Sequence, residues 1–267
     1  MIHNVTFEIN RSSAIKNIKI GGSVLTLRSL GEISEINRFP VKSFAGESLQ
    51  TSNFEKSGLY GDRYFAFIDE TKEGWDRFIT AREFPNMLAY KAKIIGEDHE
   101  DGVPELVVTS PDGRIFNWNE ELLDEIQRYS PKRMSMRCYK TQNADLMAVD
   151  SGSILIVTDT TLRKLEEIWG KRLDSRRFRA NLVVTLDENA INEGNWIGKR
   201  IRLGSTELQI NSYCERCSMT TIDPDTLERD VSLLKKINEE MNLNFGVYAS
   251  VIKSGPIHVG EKVYLVD

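Results

Sequence analysis

Tyr213-Cys214-Glu215-Arg216-Cys217-Ser218-Met219-Thr220-Thr221-Ile222-Asp223-Pro224 holds two of the chain's three cysteines, separated by two residues of which one is an arginine. The alternating run Leu203 to Asn211 predicts a strand leading into it. Ser218 to Ile222 reads as a short Thr-rich strand closed by an Asp-Pro turn. A thiolate is the softest ligand and the best nucleophile a protein offers at neutral pH, and a guanidinium nearby favours that form. A thiol site and a pair of structural cysteines both fit this stretch, because a CxxC spacing alone decides neither.

Upstream, Ser175-Arg176-Arg177-Phe178-Arg179-Ala180-Asn181 runs into the apolar Leu182-Val183-Val184. Strand alternation places Arg179 and Asn181 on one side and Phe178 on the other. Ser153 to Val157 is a near-continuous apolar strand. It enters Thr158-Asp159-Thr160-Thr161, the predicted cap of a helix with Leu162, Leu165, Ile168 and Trp169 on its apolar side and Gly170 as its stop. Free N–H groups and hydroxyls there suit either plain capping or an anion. Downstream, Ser232 to Met241 has helical periodicity, followed by strands at Phe245 to Val251 and Lys262 to Val266.

The first half reads as short strands. Residues 1–29 predict a β-hairpin turning at Gly21-Gly22. Glu32 to Arg38 alternates until Pro40, which has no N–H to donate, so Lys42 and Ser43 fall in a loop past a strand end, as a solvated turn or an anion site. Gly58 to Arg63 is a glycine-framed turn in which Asp62-Arg63 is an ion pair or Arg63 faces a ligand. Thr80-Ala81-Arg82 again joins a hydroxyl to a cation. Met87 to Ile95 reads as a strand, and Ser110-Pro111-Asp112-Gly113 as a turn between two more. Asn119 caps a predicted helix with Leu122, Leu123, Ile126 and Tyr129 on one face. A basic linker, Pro131 to Lys140, follows and carries the packing residue Cys138. The expected division is an extension over 1–29, an N-terminal domain over 30–130 and a C-terminal domain over 131–267.

With 267 residues, 40% hydrophobic and 28% charged, the chain can bury a sizeable core. A net charge of −5 argues against general nucleic-acid binding, no apolar run reaches the ~20 residues of a membrane span, and the N-terminus alternates where a signal peptide would be apolar. The expectation is a cytoplasmic protein with reduced thiols. Three cysteines and the scattered His3, His99 and His258 make a poor zinc set, and G-x-S-x-G, G-x-G-x-x-G and Walker signatures are all missing. What remains is a thiolate plus dispersed anion-binding elements, which suits a phosphorylated cofactor held by many contacts.

In their order these pieces resemble the MOSC family with its N-terminal β-barrel domain. The matching pieces are Phe39 to Ser43, Gly58 to Arg63, Thr80 to Arg82, Phe178 to Asn181, Cys214 to Cys217 with Thr220 to Pro224, Phe245 to Tyr248 and Gly255 to Gly260. The nearest pattern is that of amidoxime-reducing members. The resemblance implies an α+β, β-rich fold, a MOSC-type barrel with flanking helices plus an N-terminal β-barrel-like domain. It also implies a molybdenum–molybdopterin cofactor, with Cys217 as metal ligand and catalytic residue. Cofactor contacts carried over from it are Lys42, Ser43, Arg63, Thr80, Ala81, Arg82, Thr158, Thr161, Arg179, Asn181, Arg216 and Tyr248; Cys214 receives no role. The implied reaction is reduction of N-hydroxylated compounds. Electrons come from a separate flavin or iron–sulfur protein, because the chain lacks the four-cysteine ferredoxin region fused to some relatives. Pyridoxal phosphate binding attaches to the family at large, although no desulfurase region is present here. Ala180 and Glu215 depart from the usual pattern, the latter adding negative charge beside the implied phosphate region. The competing expectation is a carrier of molybdenum cofactor or sulfur with a persulfide on Cys217 or Cys214.

Overall fold

The computed structural model describes residues 7–8, 15–20, 23–98, 103–139 and 152–266. Its centre is a closed barrel of seven strands. Going round the barrel, these are Ser23–Arg38, Leu182–Leu186, Ile154–Thr158, Asn244–Lys253, Thr206–Glu215, Arg200–Leu203 and Lys262–Val266, which pairs back onto Ser23–Arg38. All neighbours are antiparallel except Ile154–Thr158 with Leu182–Leu186. That parallel pair needs a crossover, and helix Asp159–Trp169 provides it.

Two-sided burial explains why the strands of this pair read as continuous apolar runs. Ile154, Ile156, Leu182 and Val184 point into the barrel, with Trp196, Leu208, Ile210 and Val247. Leu155, Val157 and Val183 point outward under Leu165, Leu233 and Ile237 of helices Asp159–Trp169 and Val231–Met241. Ile33 and Ile36 both reach the interior because the register slips opposite Val183 and Val184. The extra residue, Ser34, donates its hydroxyl to the Val183 carbonyl (3.1 Å). Gly31 is obligatory: its φ is +147° and a Cβ there would lie 2.0 Å from the Thr185 carbonyl oxygen.

A second β-rich body is built from residues 39–139. It comprises the sheet Lys91–Asp98, Pro104–Thr109, Ile115–Asn117, the pair Phe65–Asp69 with Met134–Cys138, and helix Glu120–Gln127. Its core gathers Val41, Phe44, Phe65, Phe67, Met87, Tyr90, Leu122 and Ile126. Strand Gly255–His258 pairs with Thr51–Glu55, joining the last part of the chain to the first half. Among the described residues no helix is long and apolar enough to cross a membrane.

Several local expectations are corrected. The hairpin Ile15–Ile20 with Ser23–Arg38 forms, but its turn at Gly21-Gly22 lies outside the described residues. The basic stretch after Pro131 is not a linker: Met134–Cys138 is a strand along Phe65–Asp69, with Met134 buried and Arg137 exposed in the alternating manner. Pro85–Ala89 is a 3-10 helix preceding Lys91–Asp98, since Pro85 sits at its first position and Tyr90 donates back to Met87. Ser218–Thr221 is also a 3-10 helix rather than a strand. Thr220 and Thr221 turn their hydroxyls onto the carbonyls of Cys217 (3.0 Å) and Ser218 (2.7 Å), local bonds that compete with any ladder.

Candidate functional site

A cleft opens between the two cores. One wall comes from three loops of the first half. Pro40 ends the Ser23–Arg38 ladder, and a tight turn follows in which Lys42 N–H bonds Phe65 (2.8 Å) and Ser43 takes φ 71°. Phe44 plugs the core, leaving buried Lys42 and Ser43 on the cleft side. Arg63, also at positive φ, is paired with Asp62, whose other oxygen accepts the Phe39 amide (2.7 Å). Asp62-Arg63 is therefore an ion pair that also faces the cleft. Thr80 and Arg82 line it from the third loop, whereas Ala81 between them is wholly buried in the second core.

The opposite wall belongs to the barrel side. Arg179 does line the cleft beside Asn181, but not by strand alternation: Ser175–Phe178 is a 3-10 helix and Arg179 is left-handed at φ 54°. Its Nη1 donates to the Phe44 carbonyl (2.7 Å), and Arg63 Nη2 donates to the Arg179 carbonyl (3.3 Å), so the arginines stitch the two bodies together. Both guanidiniums lie over the Phe39 ring, at 4.2 and 4.6 Å from its centroid. Asn181, 1% exposed, spends its amide on backbone, accepting from Leu155 N–H (3.0 Å) and donating to Asn37 (3.3 Å). It shapes the wall more than it offers a free group.

The two cysteines diverge. Cys214 is buried at the end of the barrel strand, and Arg216 Nη1 donates to its sulfur at 2.9 Å. Arg216 also donates to the Phe178 carbonyl (2.9 Å) and stacks on that ring, while its Nε is buried without a partner. Cys217 is exposed, at the mouth, where the chain leaves the strand for the 3-10 helix Ser218–Thr221. Buried Arg177 braces that helix from behind, bonding the Thr221 carbonyl (3.0 Å) and Asp223 (2.6 Å). Asp223 caps its own turn, and the Thr226 amide foremost, with the Asp225 amide and the Arg177 charge, holds its carboxyl below the usual range.

Nine of the twelve implied contact residues thus line one cleft together with Cys217. Thr158 and Thr161 do not: both hydroxyls donate to the buried Glu193 carboxylate (2.7 and 2.8 Å), so this helix start is closed by the protein itself. The cleft instead takes in Gly152, Ser153, Leu155, Phe178, Glu215 and Met219. The small Ser151-Gly152-Ser153 run before an apolar strand was the available signal. A Cβ on Gly152 would come within 2.7 Å of the Tyr248 side chain, so only glycine lets this segment lie against the neighbouring barrel strand. Among the described residues, five cations (Lys42, Arg63, Arg82, Arg179 and Arg216) and one carboxylate, Glu215, line the cleft, a charge balance that suits an anion. An exposed thiol stands at the edge of the cleft.

Residues 143–264 match the MOSC domain and residues 30–146 the MOSC N-terminal beta barrel domain. The chain belongs to the MOSC family, in the two-part form that carries the N-terminal barrel domain. Along most of its length it is similar to mitochondrial amidoxime reducing component 2. It is 34% identical to the Macaca fascicularis protein over 290 residues, which span 89% of this chain and 84% of that one. It is 26% identical to the Homo sapiens protein over 291 residues, with the same coverage. The molybdenum cofactor sulfurase of Homo sapiens is 30% identical over 139 residues, 45% of this chain and 15% of that protein.

Proposed function

We propose that this protein is a molybdenum-cofactor-dependent reductase of N-hydroxylated compounds such as amidoximes and hydroxylamines, fed by a separate electron-transfer protein. The observation that carries this reading is the exposed Cys217 thiol at the edge of a cleft lined by five cations from both halves of the chain. Similarity to amidoxime reducing components over 89% of the chain supports the substrate class. The residues fit the group: a soft thiolate suits a thiophilic metal, and Arg216 keeps a buried N–H with no partner on the cleft wall.

In this reading Arg63, Arg179 and Arg216 bind the cofactor's anionic end, and Ser43 and Thr80 add hydroxyl contacts. Cys217 supplies the metal ligand, because the Cys214 sulfur is already engaged by Arg216. When bound, the cofactor supplies the two-electron redox chemistry that breaking an N–O bond needs. Two electrons and two protons then convert the N–OH to N–H and water. Gly152, Tyr248 and Phe178 line the cleft on the barrel side, and Glu215 is the lining carboxyl group among the described residues.

The test is expression in a host competent in cofactor synthesis, followed by molybdenum and pterin analysis and assay with an amidoxime and a reduced viologen dye. About one molybdenum per chain with turnover is expected. Loaded protein that reduces no N-hydroxylated compound would overturn the reading. The exposure of Cys217 and the partial similarity to a cofactor sulfurase favour a second reading, persulfide carriage, which cyanide-releasable sulfur on metal-free protein would bring forward.

A further inference from the structure

Trp75 and Phe78 take no part in either core's interior. The 3-10 helix Gly74–Arg77 that carries Trp75 contains no buried residue, and the Trp75 side chain is 49% exposed. An exposed indole is a large apolar area left in water, and nothing about the local fold demands a tryptophan there. Its surroundings are specific, however. The Trp75 and Phe78 rings are 5.2 Å apart at 49°, and the Lys42 ammonium lies 4.9 Å from one centroid and 5.1 Å from the other. Lys42 lines the cleft, and so do Thr80 and Arg82 a few residues along the same segment. The aromatic pair therefore flanks the cleft, one lysine side chain away from it.

We propose that Trp75 and Phe78 form the subsite for the organic part of the substrate, selecting flat, neutral, aromatic or heteroaromatic N-hydroxylated compounds over small aliphatic ones. The inference rests on the reductase reading of the cleft and names its substrate class. A planar ring stacked on the exposed indole face would lie beside Lys42, on the side of the cleft that Thr80 and Arg82 line. Lys42 holds the indole in place by cation–π attraction, which keeps the platform ordered before substrate arrives.

The experiment compares wild type, Trp75→Ala and Trp75→Phe as cofactor-loaded full-length proteins. Benzamidoxime and acetamidoxime are assayed with a reduced viologen donor, and benzamidoxime binding is followed by tryptophan fluorescence. Aromatic stacking predicts a roughly 3- to 10-fold fall in the benzamidoxime-to-acetamidoxime ratio of kcat/KM for Trp75→Ala. The fall should lie mostly in KM and be largely restored by Trp75→Phe, at unchanged molybdenum content. Benzamidoxime should quench wild-type fluorescence, with that component gone in Trp75→Phe. An unchanged ratio, or a loss equal for both compounds, would overturn the subsite while leaving the reductase reading intact. If wild type reduces neither compound, the reductase reading has failed, and the fluorescence titration alone decides the subsite: Trp75-dependent quenching supports it and its absence overturns it.

Discussion

Cys214→Ala and Cys217→Ala should have opposite effects on stability and on metal content. The Cys214 sulfur is 2% exposed and accepts a 2.9 Å hydrogen bond from the Arg216 guanidinium, itself 9% exposed. Removing the sulfur leaves a charged donor buried without its acceptor, which costs about 1.5–3 kcal/mol, and vacates a space of one heavy atom for roughly 1 kcal/mol more. A total near 3 kcal/mol lowers the melting temperature of a chain this size by roughly 6–12 °C. Cys217 is exposed, and its truncation costs within about 0.5 kcal/mol. Metal should behave the other way, with molybdenum retained in Cys214→Ala at permissive temperature and lost in Cys217→Ala. Differential scanning fluorimetry of metal-free protein and elemental analysis of loaded protein measure the two quantities. Equal melting points for the two variants, or molybdenum lost from Cys214→Ala and kept in Cys217→Ala, would refute the division of roles.

Arg177→Met touches no lining residue of the cleft, yet it removes the brace behind Ser218–Thr221. Because Asp223 is partly exposed, a loss of about 2 kcal/mol is expected in urea titration, with lowered molybdenum occupancy; unaltered occupancy would show that Cys217 does not depend on the brace. Lys171 first, and then Ser232, push the Asp230 carboxyl down to about 2 from 3.8, and Ser110 and Arg114 do the same for Asp112. A depressed carboxyl stabilises the fold above its unfolded value, so these contributions should be intact above pH 4 and fade as pH falls toward 2. Asp230→Asn keeps a side-chain oxygen for the Ser232 amide and should flatten that acid limb of a melting-temperature profile; an unchanged slope would exclude Asp230 as a contributor. Pyrophosphate should raise the melting temperature of cofactor-free protein more than chloride does at equal ionic strength, by about 2.7 kcal/mol equivalent at a hundredfold excess over Kd, and Arg216→Met should weaken the effect. No difference between the anions would argue against a built anion site.

Periodicity found most of the barrel because its strands obey simple rules. The apolar run Ile154–Thr158, the cap at Thr158 and the stop at Gly170 are all local signals, and helix Asp159–Trp169 follows from them. The errors arose where a tertiary bond outweighed a local preference. Thr-rich Ser218–Thr221 has the composition of a strand, yet its hydroxyls find backbone carbonyls one turn back, and Arg177, some forty residues away, fixes the turn. The basic look of residues 131–140 hid the alternation of Met134–Cys138, since on a half-exposed strand every second residue is free to be charged. In the cleft, Lys42 was legible as a cation past a strand end, and Arg63 and Arg179 as cations just before strands. The closure of Thr158 and Thr161 was not, because it depends on Glu193, a residue with no local mark of burial.

The placement of the cleft follows from the topology. The barrel strand that ends at Arg38, shortly before Pro40, the 3-10 helix that ends at left-handed Arg179 and the strand that ends at Glu215 all release their chains at the same junction. There neither core can cover backbone or charge. Arg63 and Arg179 use carbonyls of the facing body as partners, which ties the halves together. Asp62 offsets one charge, and Arg216 has no carboxylate among the described residues. Bringing five cations together in a partly buried space is unfavourable by itself, because each repels the others where water screens them least. A multiply charged anion held there, as in the reading proposed above, would offset that repulsion.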